Sequence, residues 1–295
     1  MFIINNNNLI KGEINMNKFK KIGLTALAAS LVSVSANAGA ISVSGGASMN
    51  ASGYSGEGQN RGATFTMGNQ LTFSGSGELD NGMNVSLSFV IDQADDTLPF
   101  DGHSVSISSD ALGTLKFSGE GGSSAQSAID TTAAGDLWNN GSNVTAPRAA
   151  EAGDNSLFYT LPTIMDDLAV TASMSPGGAG GSTATAYALT YTGVEGLSVS
   201  YGTGETNTVG SEQDHDTLKA SYAIGSFTVG LSKTESNYDL ASGVDETVNS
   251  WQVAYTISDD MSVTYGVDTI ETEEQTVDEE ISGLGISYTT GGVTI

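Results

Sequence analysis

From residue 41 to the end, the chain alternates apolar and polar side chains with a period of two. Residues 83–91, MNVSLSFVI, show it plainly. Met83, Val85, Leu87, Phe89 and Ile91 fall on one side, and Asn84, Ser86 and Ser88 on the other. Successive side chains of a strand point to opposite faces, so the segment predicts a strand with one apolar and one polar face. The pattern recurs at 64–75, 104–108, 114–118, 168–174, 185–191, 197–201, 217–222, 227–231, 251–257, 261–267 and 284–288, and more weakly at 41–49 and 155–161. The count is about fourteen strands, plus a start at 292–295, with no convincing helix. The fold class is all-β.

The connections narrow the architecture. Short turns are expected near 78–82, 110–113, 162–167, 193–196, 224–226, 258–260 and 289–292. Longer polar loops are expected near 92–102, 120–154, 176–183, 204–215, 235–246 and 270–279. Short and long connections therefore alternate, which is the habit of transmembrane antiparallel β-barrels with short periplasmic turns and long outer loops. The polar face is mostly Ser, Thr, Gly and Asn, as a water-filled lumen requires. Closure into a barrel would leave no strand edge unpaired in lipid.

The N-terminus agrees. Residues 16–38 read as a signal peptide, with a basic start at Lys18, Lys20 and Lys21, an apolar run from Ile22 to Val34, and Ala36-Asn37-Ala38 before the cut. Residues 1–15 read as an upstream extension and 39–295 as the barrel. The apolar run is too short to span a bilayer as a helix. Removal of residues 1–38 leaves five basic and 33 acidic residues, a net charge of −28. Such a balance disfavours nucleic acid, whose phosphates need clustered Lys and Arg. The absence of Cys excludes disulfides, thiolate metal sites and thiol nucleophiles.

Tyr159, Tyr191, Tyr222, Tyr255 and Tyr288 each precede a short turn and share parity with the apolar face. They predict an aromatic girdle at the periplasmic membrane interface, with Phe89, Phe117, Tyr201 and Tyr265 at the outer one. The bland alternative is that Tyr is simply common in strands.

The chain resembles the general-diffusion porins, especially those of alphaproteobacteria, over about residues 40–295. The resemblance is carried by the leader ending Ala-Asn-Ala, by Gly77-Glu78-Leu79-Asp80-Asn81-Gly82, by Leu112-Gly113-Thr114-Leu115, and by Asn155-Ser156-Leu157-Phe158-Tyr159. It implies a barrel of the sixteen-stranded type, a homotrimer in outer-membrane lipid, and a third outer loop folded into the pore. It also implies passive diffusion of small hydrophilic solutes and ions, with no catalysis and no cofactor. The third and longest loop here is 120–154. The chain departs from the family in its poverty of Arg, with only Arg61, Lys116, Arg148, Lys219 and Lys233 after the leader.

The expected constriction draws on both wall and loop. Lys116 and Lys219 have lumen parity, and Glu120, four residues after Lys116, is expected on the same face. Asp130, Asp136, Arg148, Glu151 and Asp154 lie on the loop. Such charges would form an eyelet that selects ions, and the acid excess predicts cation preference. The alternative is a solvated loop tip with scattered acids.

Asp95-Asp96, Glu271-Glu273-Glu274 and Asp278-Glu279-Glu280 fall in or beside outer loops, where carboxylates can hold Ca²⁺ or simply make an acidic surface. His103 and His215 are expected at loop–strand junctions as rim residues, against the rival of a barrel enzyme. A secreted or surface-attached adhesin is the other rival. The last residues, Gly291-Gly292-Val293-Thr294-Ile295, read as a turn and the start of a fifteenth strand. The resemblance then implies a missing C-terminal loop and strand, and a ring open or strained between 41–49 and 280–295, unless the barrel has fourteen strands.

Overall fold

The computed structural model describes residues 2–5, 13–15, 41–54, 62–92, 100–135, 137, 146–151, 153–177, 181–208, 210–239, 244–273, 277–290 and 293–294. The strands are β1 (Phe2–Asn5), β2 (Glu13–Asn15), β3 (Ile41–Tyr54), β4 (Gly62–Glu78), β5 (Asn84–Asp92), β6 (Phe100–Ser109), β7 (Gly113–Glu120), β8 (Ser156–Thr160) and β9 (Leu168–Ser175). They continue as β10 (Thr183–Val194), β11 (Leu197–Thr208), β12 (Ser211–Ile224), β13 (Phe227–Tyr238), β14 (Glu246–Ser258), β15 (Met261–Thr272), β16 (Glu279–Thr290) and β17 (Val293–Thr294). No α-helix occurs among the described residues.

The fourteen strands β3–β16 match the fourteen read from the alternation. Each pairs antiparallel with its sequence neighbours, in one sheet. No pairing joins β3 directly to β16 among the described residues. The link between them runs through two short strands, with β16 on β1, β1 on β2 and β2 on β3. Both fall in residues 1–15, which the sequence reads as an upstream extension.

The register separates the two faces. Val43 pairs with Phe73, Phe73 with Phe89, Leu87 with Val105 and Leu115 with Tyr159. Ser74 pairs with Ser88, Ser86 with Ser106 and Ser106 with Lys116. Many large side chains of the apolar face are exposed, from Tyr191 at 36% to Phe65 at 72%. Burial is concentrated on the polar-parity face instead.

The short turns rest on glycine where the backbone demands it. Gly113 has φ +75°, and a Cβ there would lie 2.2 Å from the Thr160 carbonyl oxygen, so no other residue fits without moving β8.

The outer ends of the strands differ from expectation. The loop expected at 204–215 is a short turn, because β11 runs to Thr208 and β12 starts at Ser211. The loops at 235–246 and 270–279 shrink in the same way, to 239–245 and 273–278. Apolar alternation marks only the part of a strand that meets lipid. Beyond it the backbone ladder continues in water, where Glu205, Glu212 and Asp214 are as acceptable as Leu.

Candidate pore site

The long connection from β7 to β8, residues 121–155, lies across the polar face of the later strands. Its contacts with the wall advance in sequence. Ala125 N donates to Ser173 Oγ on β9 at 2.8 Å, and Gln126 Nε2 to Thr217 Oγ1 on β12 at 2.7 Å. Ser232 and Thr234 on β13 each donate to the Thr131 carbonyl at 3.1 Å. Ala134 N donates to Ser250 Oγ on β14 at 2.8 Å. The returning limb is tied by Arg148 N to Glu246 Oε1 at 2.8 Å and by Glu151 N to Thr206 Oγ1 on β11 at 3.0 Å. Ala150 N donates to Gln126 Oε1 at 2.8 Å, which locks the two limbs together.

Small wall residues make this approach feasible. Ala184, Ala186 and Ala188 hold the inner positions of β10, and Gly202 and Gly204 those of β11. A Cβ on Gly204 would sit 2.5 Å from Ala150 Cβ, and one on Gly202 2.9 Å from Ile129 Cδ1. Ala125, Ile129, Ala150, Ala186 and Ala188 form a buried cluster, with Phe158 packed against it. The hydrophobic core of this chain is therefore the seam between loop and wall, where close packing gives dispersion contacts that open lumen cannot.

The charged residues are placed as follows. Lys219 points from β12 to the loop, 3.0 Å from the Thr132 carbonyl and 3.5 Å from Asp130 Oδ2. Arg148 Nε lies 3.8 Å from Glu246 Oε2, its Nη1 donates to the Val244 carbonyl, and its guanidinium sits 4.8 Å over the Tyr238 ring. Glu246 is 3% exposed and Arg148 holds it by both backbone and side chain. Glu151 and Asp154 are exposed on the returning limb. Lys116 keeps its polar-face position on β7, between Ser106 and Phe158. Asp136, Arg61, Glu274 and the Asp95-Asp96 pair lie outside the described residues.

Glu120 is a correction. The ladder slips between His103 and Ser104, so that Ser118 faces Ser104 while Glu120 faces His103. His103 in turn pairs with Phe89 and stacks on it, with rings 6.4 Å apart. Glu120 Oε2 lies 3.8 Å from His103 Nδ1. The bulge at Gly119 breaks the parity count, and Glu120 ends on the exterior face, away from Lys116. His215 is a second correction. It lies within β12, 1% exposed beneath the loop, with Nδ1 2.8 Å from Ser236 Oγ, because β12 extends beyond the expected strand.

Sequence reasoning missed Glu246 and Gln126, two of the side chains that pin the loop. Nothing in a polar loop singles out Gln126. The run of Ala and Gly at lumen parity in 184–204 was a usable signal, because an open polar lumen favours Ser and Thr there. Among the described residues, no group of three or more His, Asp or Glu side chains is placed to hold a metal ion. Glu271 instead accepts from Asn249 Nδ2 at 3.2 Å.

The five tyrosines sit on the exterior face near the short turns. Tyr191 pairs with Leu168 and Val199, Tyr222 with Leu197 and Val229, Tyr255 with Phe227 and Val263, and Tyr288 with Met261. Tyr159 donates to the Leu112 carbonyl at 2.6 Å.

Comparison with known proteins places this architecture. A porin structure refined at 1.8 Å resolution is 22% identical and aligns over 85% of this chain and 90% of its own, with a TM-score of 0.64. OmpT of Vibrio cholerae is 14% identical over 88% and 85%, with a TM-score of 0.61. An anion-selective porin from Comamonas acidovorans is 14% identical over 84% of each chain, also at 0.61. These likenesses concern the fold. A search of curated proteins found no match. The family model of the Gram-negative porins covers residues 23–294, nearly the whole sequence. The chain belongs to the Gram-negative porin family, and is therefore an outer-membrane β-barrel channel rather than an enzyme or a secreted adhesin.

Proposed function

We propose a cation-preferring pore for small hydrophilic solutes and ions, constricted by residues 121–155. The observation that carries this reading is the loop's hydrogen bonding to inner side chains of β9, β11, β12, β13 and β14, which supports a place for it inside the lumen. Asp130, Glu151 and Asp154 bring carboxylates to that level, with Asp136 assigned there from sequence. Arg148 and Lys219 are held by Glu246 and Asp130, so their positive charge is partly offset. The 33 acidic against five basic residues after the leader favour a negative field in the pore. In a planar bilayer under a KCl gradient, the reversal potential is expected to have the sign of K⁺ selectivity. An anion-selective potential overturns the reading.

The five tyrosines form the periplasmic girdle in this proposal. The protomer assembles as a homotrimer in outer-membrane lipid, as OmpT of Vibrio cholerae has been solved in a trimer form. Ile41, Met49, Phe65 and Met67 on β3 and β4 are 66–72% exposed, an apolar surface for lipid or a sister protomer. The kinship with alphaproteobacterial porins rests on the sequence segments quoted above.

Export uses the leader, cut after Ala38. Sequencing of the protein from outer membranes should begin at Gly39, and retention of residues 1–20 would refute the assignment. The cut also removes β1 and β2.

A further inference from the structure

Four of the five basic residues after the leader lie among the described residues, and three of them are engaged. Lys219 meets Asp130 and Arg148 meets Glu246. Lys233 lies beside Leu218 on the exterior face and meets Glu235 at 2.7 Å. Lys116 meets no carboxylate among the described residues, since the bulge carries Glu120 to the other face.

Lys116 lines a cavity of about 350 Å³ between the start of the loop and the wall of β6, β7 and β8. Hydroxyls surround it, among them Ser106, Ser118 and Thr160. Phe158 and Ala128 supply an apolar side, and Phe158 also packs against the buried cluster between loop and wall. One ammonium, several hydroxyl donors and one apolar wall are the elements of a site for a small organic anion. A lone Lys is a point charge without the planar fork of Arg, so it balances one negative charge. The negative field of the lumen repels a dianion about twice as strongly as a monoanion. The volume lies at the small end of the range for small-molecule pockets and readily admits a short-chain acid.

The geometry points to the Lys116 cavity as a binding niche for small monocarboxylates with a short apolar tail, beside the diffusion path. The inference rests on the pore reading and adds a substrate class to it. Such a niche gives carboxylates a local foothold in a lumen that otherwise excludes anions. Their flux then saturates, while that of neutral solutes does not.

The test uses the full-length protein in proteoliposomes, with lactate and its neutral amide, lactamide, as probes and protein-free vesicles as the baseline. Lactate entry should saturate with concentration and lactamide entry should stay linear. Lys116→Gln should raise the half-saturating lactate concentration about tenfold, the worth of one charge-assisted hydrogen bond. Lys116→Arg should keep saturation, and lactamide entry through each variant shows that the barrel has assembled. Linear lactate entry in the unaltered protein overturns the niche without need of any variant. So does a saturation curve that Lys116→Gln leaves unmoved. If neither probe enters faster than baseline, the pore reading itself fails, and the niche with it.

Discussion

Leu87 and Ser86 are neighbours on β5 with opposite fates. Leu87 is 41% exposed and pairs with Gly75 and Val105 on the exterior, while Ser86 pairs with Ser76 and Ser106 on the lumen side. A charge on the lipid face costs roughly 2–4 kcal/mol near the bilayer midplane. Leu87→Arg is expected to lower the yield of folded, heat-resistant barrel on unheated gels. Ser86→Arg should assemble normally and reduce K⁺ current instead. Equal behaviour of the two would mean that the faces have been assigned the wrong way round. Lys116 and Glu120 carry the same lesson at one remove, because a single bulge at Gly119 reverses what a spacing of four residues implies.

At the scale of the element, the loop 121–155 is held by few strong contacts. Glu246 is the most consequential, a carboxylate 3% exposed, paired with an Arg148 that keeps other partners in Val244 and Tyr238. Removing one member of a buried pair is costly because the other is left uncompensated, roughly 3–5 kcal/mol for a fully buried charge. The two members are not equivalent here. The side chain of Glu246 is 2% accessible and that of Arg148 30%, so the stranded carboxylate has less recourse to water. Arg148→Ala should therefore lower the temperature at which the folded form is lost more than Glu246→Gln does, and should increase current noise as the loop loosens. The reverse order on a gel-shift melting series would show that the guanidinium, not the carboxylate, bears the burial penalty.

At the scale of the molecule, fold and selectivity separate. An anion-selective porin has a similar fold at a TM-score of 0.61, so under the proposed cation preference the barrel does not determine the sign of the permeant ion. Charge placement does. Charges in an aqueous pore are screened over a Debye length of about 10 Å at 0.1 M salt and about 3 Å at 1 M. The proposed K⁺ preference should accordingly be strong at 0.1 M KCl and weaken towards 1 M. A preference that does not change with salt would point to direct ion coordination in place of a diffuse field.

Strand number, strand order and the facing of most side chains were legible in the sequence. The reason is that a strand between lipid and water must alternate, and alternation survives as a one-dimensional pattern. The loop's place after β7 was legible from its length and from family likeness. Its docking was not, because it depends on contacts between residues as distant as Arg148 and Glu246, whose partnership no local pattern records. The tertiary structure also decided where parity fails at Gly119, how far β11 and β12 run beyond the lipid, and that His215 lies buried against Ser236. In each case the backbone ladder continues or slips by hydrogen bonds that are indifferent to side-chain polarity, so hydropathy carries no trace of them.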